Sequence, residues 1–183
     1  MTVNFDLIIG KVRGIREEYA ESDPGRLCRD LDIILEYEPM GATKQACKGF
    51  FFRKLGVSMI TVNSELTDTF RRIITAHELG HAVLHTDIGE RGFLDTGYFN
   101  EADDCEKEAN FFAAELLLPD NDVIDAFTQC QTIAEAASLL YVPVELLDMK
   151  LQLMEYKGYA LHAPKAASPD FMLKMDVQYG EGF

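Results

Sequence analysis

The chain has 183 residues and a mass of 20.6 kDa, enough for one ordinary domain with a sizeable core and too little for two full-sized ones. Apolar residues make up 48% and charged residues 26%, a globular composition that excludes the collagenous, disordered and disulfide-scaffold classes. The net charge of −14 excludes a general affinity for phosphate backbones or anionic lipid, so action on DNA is expected to pass through another protein.

In chain order, the first residues lack an apolar stretch of signal length, and no later stretch approaches about 18 apolar residues, so neither secretion nor a membrane span is expected. Leu7, Ile8, Val12, Ile15 and Tyr19 fall at helical spacing and predict a first helix over 5–21, punctuated by Asp23-Pro24-Gly25. A short second helix over 27–31 leads into a strand over 33–37. Two aromatic or β-branched runs, 49–53 and 57–62, flank Lys54-Leu55-Gly56 and read as an antiparallel hairpin.

A helix capped by Thr67 or Asp68 then runs to about His85, with Phe70, Ile73, His77 and Leu84 on one buried stripe. A loop containing Gly89, Gly92, Phe93, Gly97, Tyr98 and Phe99 precedes a helix over 101–118, stopped by Pro119. Helices over 120–127, 132–140 and 144–156 follow, the last opened by Pro143. Residues 133–147 resemble a helix-turn-helix, but residues 144–155 carry one lysine, Lys150, against three acids, so direct nucleic-acid binding is not expected. The expected fold class is α+β: a mostly helical single domain over 1–160, with a small antiparallel sheet of about three strands beside the His77 helix, and a tail over 161–183. Four scattered cysteines without a C-x-x-C pair suit reduced thiols in the cytoplasm.

The most informative segment is His77-Glu78-Leu79-Gly80-His81. Histidines four apart on a helix lie about 40° apart around the axis, so both imidazoles can reach one metal ion while Glu78 flanks the same face. This is the arrangement of a zinc site with a built-in base. Given 4 His and 16 Glu in the chain, chance would produce it on the order of once in a hundred shuffled sequences.

A hydrolytic zinc ion needs three protein ligands and an open position for water. Asp87, ten residues after His77, can ligate, although Leu84 provides no hinge for the chain to turn back. His85 lies about 12 Å beyond His77 on a straight helix, which suits a packing or supporting role. On the next helix, Ala102, Glu106, Ala109, Asn110 and Ala113 share a narrow stripe of mostly small residues along which two helices can approach closely. That stripe favours Glu106 over Glu108, which points about 200° away, while a solvated acidic first turn is the plain alternative for both. Tyr98 and His162 are candidate donors to an oxyanion.

His77-Glu-Leu-Gly-His81-x-x-x-His85, followed by Glu106-x-x-Ala-Asn-x-Phe-Ala-Ala-Glu-Leu-Leu-Leu-Pro119, resembles the ImmA/IrrE family of zinc metallopeptidases. The resemblance extends over about residues 25–155 and takes in the Gly49-Phe50 hairpin, Ile60-Thr-Val-Asn63 and Arg71-Arg72. It implies a gluzincin-like Zn2+ site with His77, His81 and Glu106 as ligands and Glu78 as the catalytic carboxylate. Where gluzincins place an Asp to support a ligand histidine, this chain has Asn110, whose amide oxygen can accept a ring N–H without a charge. The family further implies an endopeptidase, often encoded on mobile elements, that relieves repression of transcription by cleaving a helix-turn-helix repressor. The rival expectation is a metal-binding regulator that sequesters a repressor without proteolysis. A third reading makes the zinc structural, so that chelation unfolds the chain.

Overall fold

The computed structural model describes residues 3–43, 45–85 and 104–159, in which seven helices and three strands form an α+β domain. The loop with Tyr98, Asp87, residues 101–103, His162 and the tail over 161–183 lie outside the described residues. Helix α1 (Phe5–Tyr19) starts where the Asn4 side chain accepts the Leu7 N–H and ends at Ala20 in the left-handed region. It buries Ile8, Val12 and Ile15. Helix α2 (Pro24–Asp30) is capped by Asp23, with proline in the first turn, where its missing N–H costs nothing.

Strands β1 (Ile33–Glu38), β2 (Gly49–Lys54) and β3 (Val57–Asn63) form one sheet in the order β1-β3-β2. The β2–β3 hairpin is antiparallel, with Phe51 opposite Ile60, and turns through Leu55 and Gly56, both at positive φ. Strand β1 joins the other edge of β3 in parallel, with Leu35 opposite Ile60, so the sheet is mixed where an antiparallel one was expected. The cause is where the strands meet β3: β1 ends opposite Asn63 and β2 starts opposite Val62, so β2 runs back along the other edge of β3. Asn63, fully buried, fastens the connection from β1 to β2: its carbonyl accepts the Met40 N–H, and its amide donates to the Gly41 and Cys47 carbonyls.

Helix α3 (Asp68–Leu84) packs on the sheet and, along its other face, on helix α4 (Asp104–Leu117). Its residues from Ile73 to Gly80 are all buried. The α3–α4 approach is close because of small residues on both sides. A Cβ on Gly80 would lie 3.1 Å from Ala109 Cα and 3.2 Å from Phe112 Cβ, and Ala109 and Ala113 are fully buried. Helices α5 (Asp120–Gln129), α6 (Ile133–Leu139) and α7 (Val144–Tyr156) complete the core, with α1 and α7 flanking α4. Among the described residues no disulfide joins the cysteines and no helix is long and apolar enough to cross a membrane.

Candidate metal centre

Two adjacent turns of α3 present His77 and His81 on one face, and the first turn of α4 presents Glu106 opposite them. The Nε2 atoms of His77 and His81 are 3.1 Å apart, and they lie 3.3 and 3.2 Å from the two oxygens of Glu106. A tetrahedral zinc ion with ligands at about 2.0–2.1 Å spaces those ligands about 3.3–3.4 Å apart. The three side chains therefore have the donor chemistry of such a shell, with one ligand atom from each lying within 4.8 Å of the others. Among the described residues this is the one His/Cys/Asp/Glu group close enough to hold a metal ion.

The supporting contacts fix which ring atoms face the centre. His77 Nδ1 lies 2.9 Å from Asn110 Oδ1; the ring donates and the amide oxygen accepts, which leaves Nε2 without a proton. His81 Nδ1 lies 3.2 Å from His85 Nδ1, and His85 Nε2 lies 3.0 Å from Glu108 Oε2. Burial pushes the His85 imidazolium down, and the hydrogen bond and charge of Glu108 do not restore it.

Glu78 sits on the same face as the histidines, 7% exposed, with its carboxylate accepting the Phe51 backbone N–H. Burial pushes its pKa up, and the neighbouring His77 and His81 only partly offset that. Strand β2 approaches this carboxylate through Gly49, where a Cβ would stand 3.4 Å from Glu78 Oε1 and 2.6 Å from Ile74 Cγ2. For Glu106, burial acts upward but is outweighed by the hydrogen bonds of His77 and His81, which hold its carboxyl well below the ordinary range. For His77, burial acts downward, and the hydrogen bond of Glu106 with the charges of Glu78 and Glu106 leaves its pKa above the ordinary value.

Residues 28–152 match the family model described as the IrrE N-terminal-like domain, a peptidase family. The chain belongs to this peptidase family. It is also 32% identical over 160 residues to uncharacterized immunity region protein 2 of Bacillus phage phi105, an alignment covering 85% of this chain and 95% of that relative. The matched span of the IrrE-like domain contains α3, the sheet and α4, and so every side chain of the cluster just described.

Two features of this IrrE-like site were not apparent from spacing alone. Gly80, inside the H-E-x-x-H segment, is the point where α4 comes closest; its place between two ligand-type histidines, facing a stripe of alanines, was the available signal. Glu108, expected on the far side of its helix from Glu106, instead reaches His85 at the end of α3, a contact that needs the packing of both helices to be seen.

Proposed function

We propose that this chain is a zinc-dependent endopeptidase that uses His77, His81 and Glu106 as metal ligands and Glu78 as its proton-transferring carboxylate. The observation that carries the reading is the convergence of the Nε2 atoms of two imidazoles and a carboxylate on one another, next to a buried glutamate. His77, His81 and Glu106 would hold a zinc ion there, which would supply Lewis acidity toward a carbonyl oxygen and a bound water. Glu78 accepts the proton of the attacking water and passes it to the leaving amine. Its burial and raised pKa suit both halves of that task, because a carboxylate that is too acidic holds a proton poorly. Asn110 keeps the His77 ring in the ligating tautomer.

The substrate proposed is a helix-turn-helix transcriptional repressor in the cytoplasm, cleaved to relieve repression. Two observations support it. The phage phi105 relative carries an immunity region in its name, and the charge of −14 favours docking on a basic DNA-binding protein over competing for its operator. The test is incubation of zinc-loaded protein with purified candidate repressors, followed by mass spectrometry. Two discrete fragments are expected from the wild type. In Glu78→Gln the rate should fall by at least ~10²-fold with zinc content unchanged. A repressor that is bound but left intact by the wild type would support sequestration, and unfolding on chelation would support a structural ion.

A further inference from the structure

Beyond the three ligands, a second set of polar side chains leads away from His81. Its Nδ1 meets His85 Nδ1 at 3.2 Å, His85 Nε2 meets Glu108 Oε2 at 3.0 Å, and Glu108 Oε1 accepts the Asn4 backbone N–H at 3.1 Å. The side chains of His85 and Glu108 are 7% and 17% exposed, so the His81–His85–Glu108 part of this line is largely enclosed, and it opens to solvent where it meets the start of α1 at Asn4.

The direction of each hydrogen bond follows from donor chemistry. A carboxylate only accepts, so the proton between His85 and Glu108 belongs to His85 Nε2. In a neutral imidazole the other nitrogen is then an acceptor, so His85 Nδ1 receives the Nδ1–H of His81. That places the one proton of His81 on Nδ1 and leaves its Nε2 lone pair directed at His77 Nε2 and Glu106. His77 reaches the same state through Asn110, on the opposite side.

We propose that His85 and Glu108 are positioning residues that act through His81, forming a two-step relay that fixes its tautomer and ring angle for metal capture. The inference rests on the reading of His77, His81 and Glu106 as ligands, and deepens it. The relay requires a group at position 85 that both donates toward Glu108 and accepts from His81. A glutamine can do both, with its NH2 and its carbonyl oxygen, whereas leucine fills similar space and can do neither.

The test is titration of chelator-stripped protein with zinc, with cobalt(II) visible spectra as a second readout and circular dichroism of the metal-free forms as a check on folding. Wild type should bind one ion. His85→Leu and Glu108→Leu should each bind about 10–100-fold more weakly, with an altered cobalt spectrum, and His85→Gln should recover most of the affinity. Position 108 is near the start of α4, one residue past its first turn, and Glu108→Leu decides the matter if His85→Leu does not fold. Wild-type affinity in either leucine variant overturns the proposal, and so does equal weakening in His85→Gln and His85→Leu, which would make the role one of packing. Failure of the wild type to bind zinc overturns the ligand reading itself and the relay with it.

Discussion

Asn110 shows how one atom sets the electronics of the site. Its amide oxygen accepts the His77 ring proton at 2.9 Å from a position only 2% exposed, so the support given to His77 is neutral. A carboxylate there would accept more strongly, because a charge-assisted bond is roughly twice as strong as a neutral one. It would also bury a charge. Asn110→Asp is therefore expected to tighten zinc binding by about tenfold while lowering the stability of the metal-free protein by about 2 kcal/mol. Zinc titration and urea unfolding of stripped protein check the two signs separately. At this scale the H-E-x-x-H spacing shows which residues can share a face of a helix, and Asn110 can be read as an acceptor. What spacing omits is the far side of each ring: His85 and Glu108 meet only because two helix ends do.

Between elements, the decisive contact is the seating of α4 on Gly80. Any side chain there meets Ala109 backbone atoms at 3.1–3.2 Å, and backbone cannot yield as a flexible side chain would. Gly80→Ala is expected to cost about 1–3 kcal/mol and to move Glu106 away from the histidines, weakening zinc binding by at least about tenfold. Thermal unfolding and zinc titration would show both; wild-type values in each would contradict the close approach. The small-residue stripe of Ala109 and Ala113 is visible in the sequence because helical geometry alone puts those residues on one side. The sheet is legible as three strands but not as a mixed one. Alternation identifies strands, whereas the order β1-β3-β2 depends on a connection held by the hydrogen bonds of Asn63.

Across the whole molecule, the helices behind the site are locked by a charge network. Lys150, fully buried, lies 2.6 Å from Glu115 and 2.5 Å from Asp120, and Lys157 reaches the same two carboxylates at 2.6 and 2.9 Å. Burial pushes Asp120 up, but the hydrogen bonds of Lys150 and Lys157 outweigh it and its folded pKa lies below the ordinary value. A carboxyl depressed in the folded state stabilises above its unfolded pKa, about 3.9, and that contribution disappears as pH falls through the folded value. Lys157 is the opposite case: burial acts downward, the Glu115 and Asp120 bonds raise it overall, and its contribution holds below about 10.4 and is lost as pH rises past the folded value. Asp120→Asn should therefore be less stable than wild type at pH 6 and lose less stability than wild type between pH 5 and pH 3, as read by urea midpoints. Composition reveals the acidity of the chain, but not that its one lysine between residues 144 and 155 is interior, since burial of a charge depends on partners from other helices.

All of this places a peptidase-family scaffold around one ligand cluster, and the claim that the cluster holds a catalytic metal ion rests on the affinity of three side chains. Calorimetric titration of chelator-stripped protein with zinc, wild type beside His81→Ala, measures that affinity. One ion per chain in the wild type, weakened by more than about 100-fold in the variant, is the outcome expected. A wild type that binds no zinc, or a variant that binds it equally well, would contradict the account.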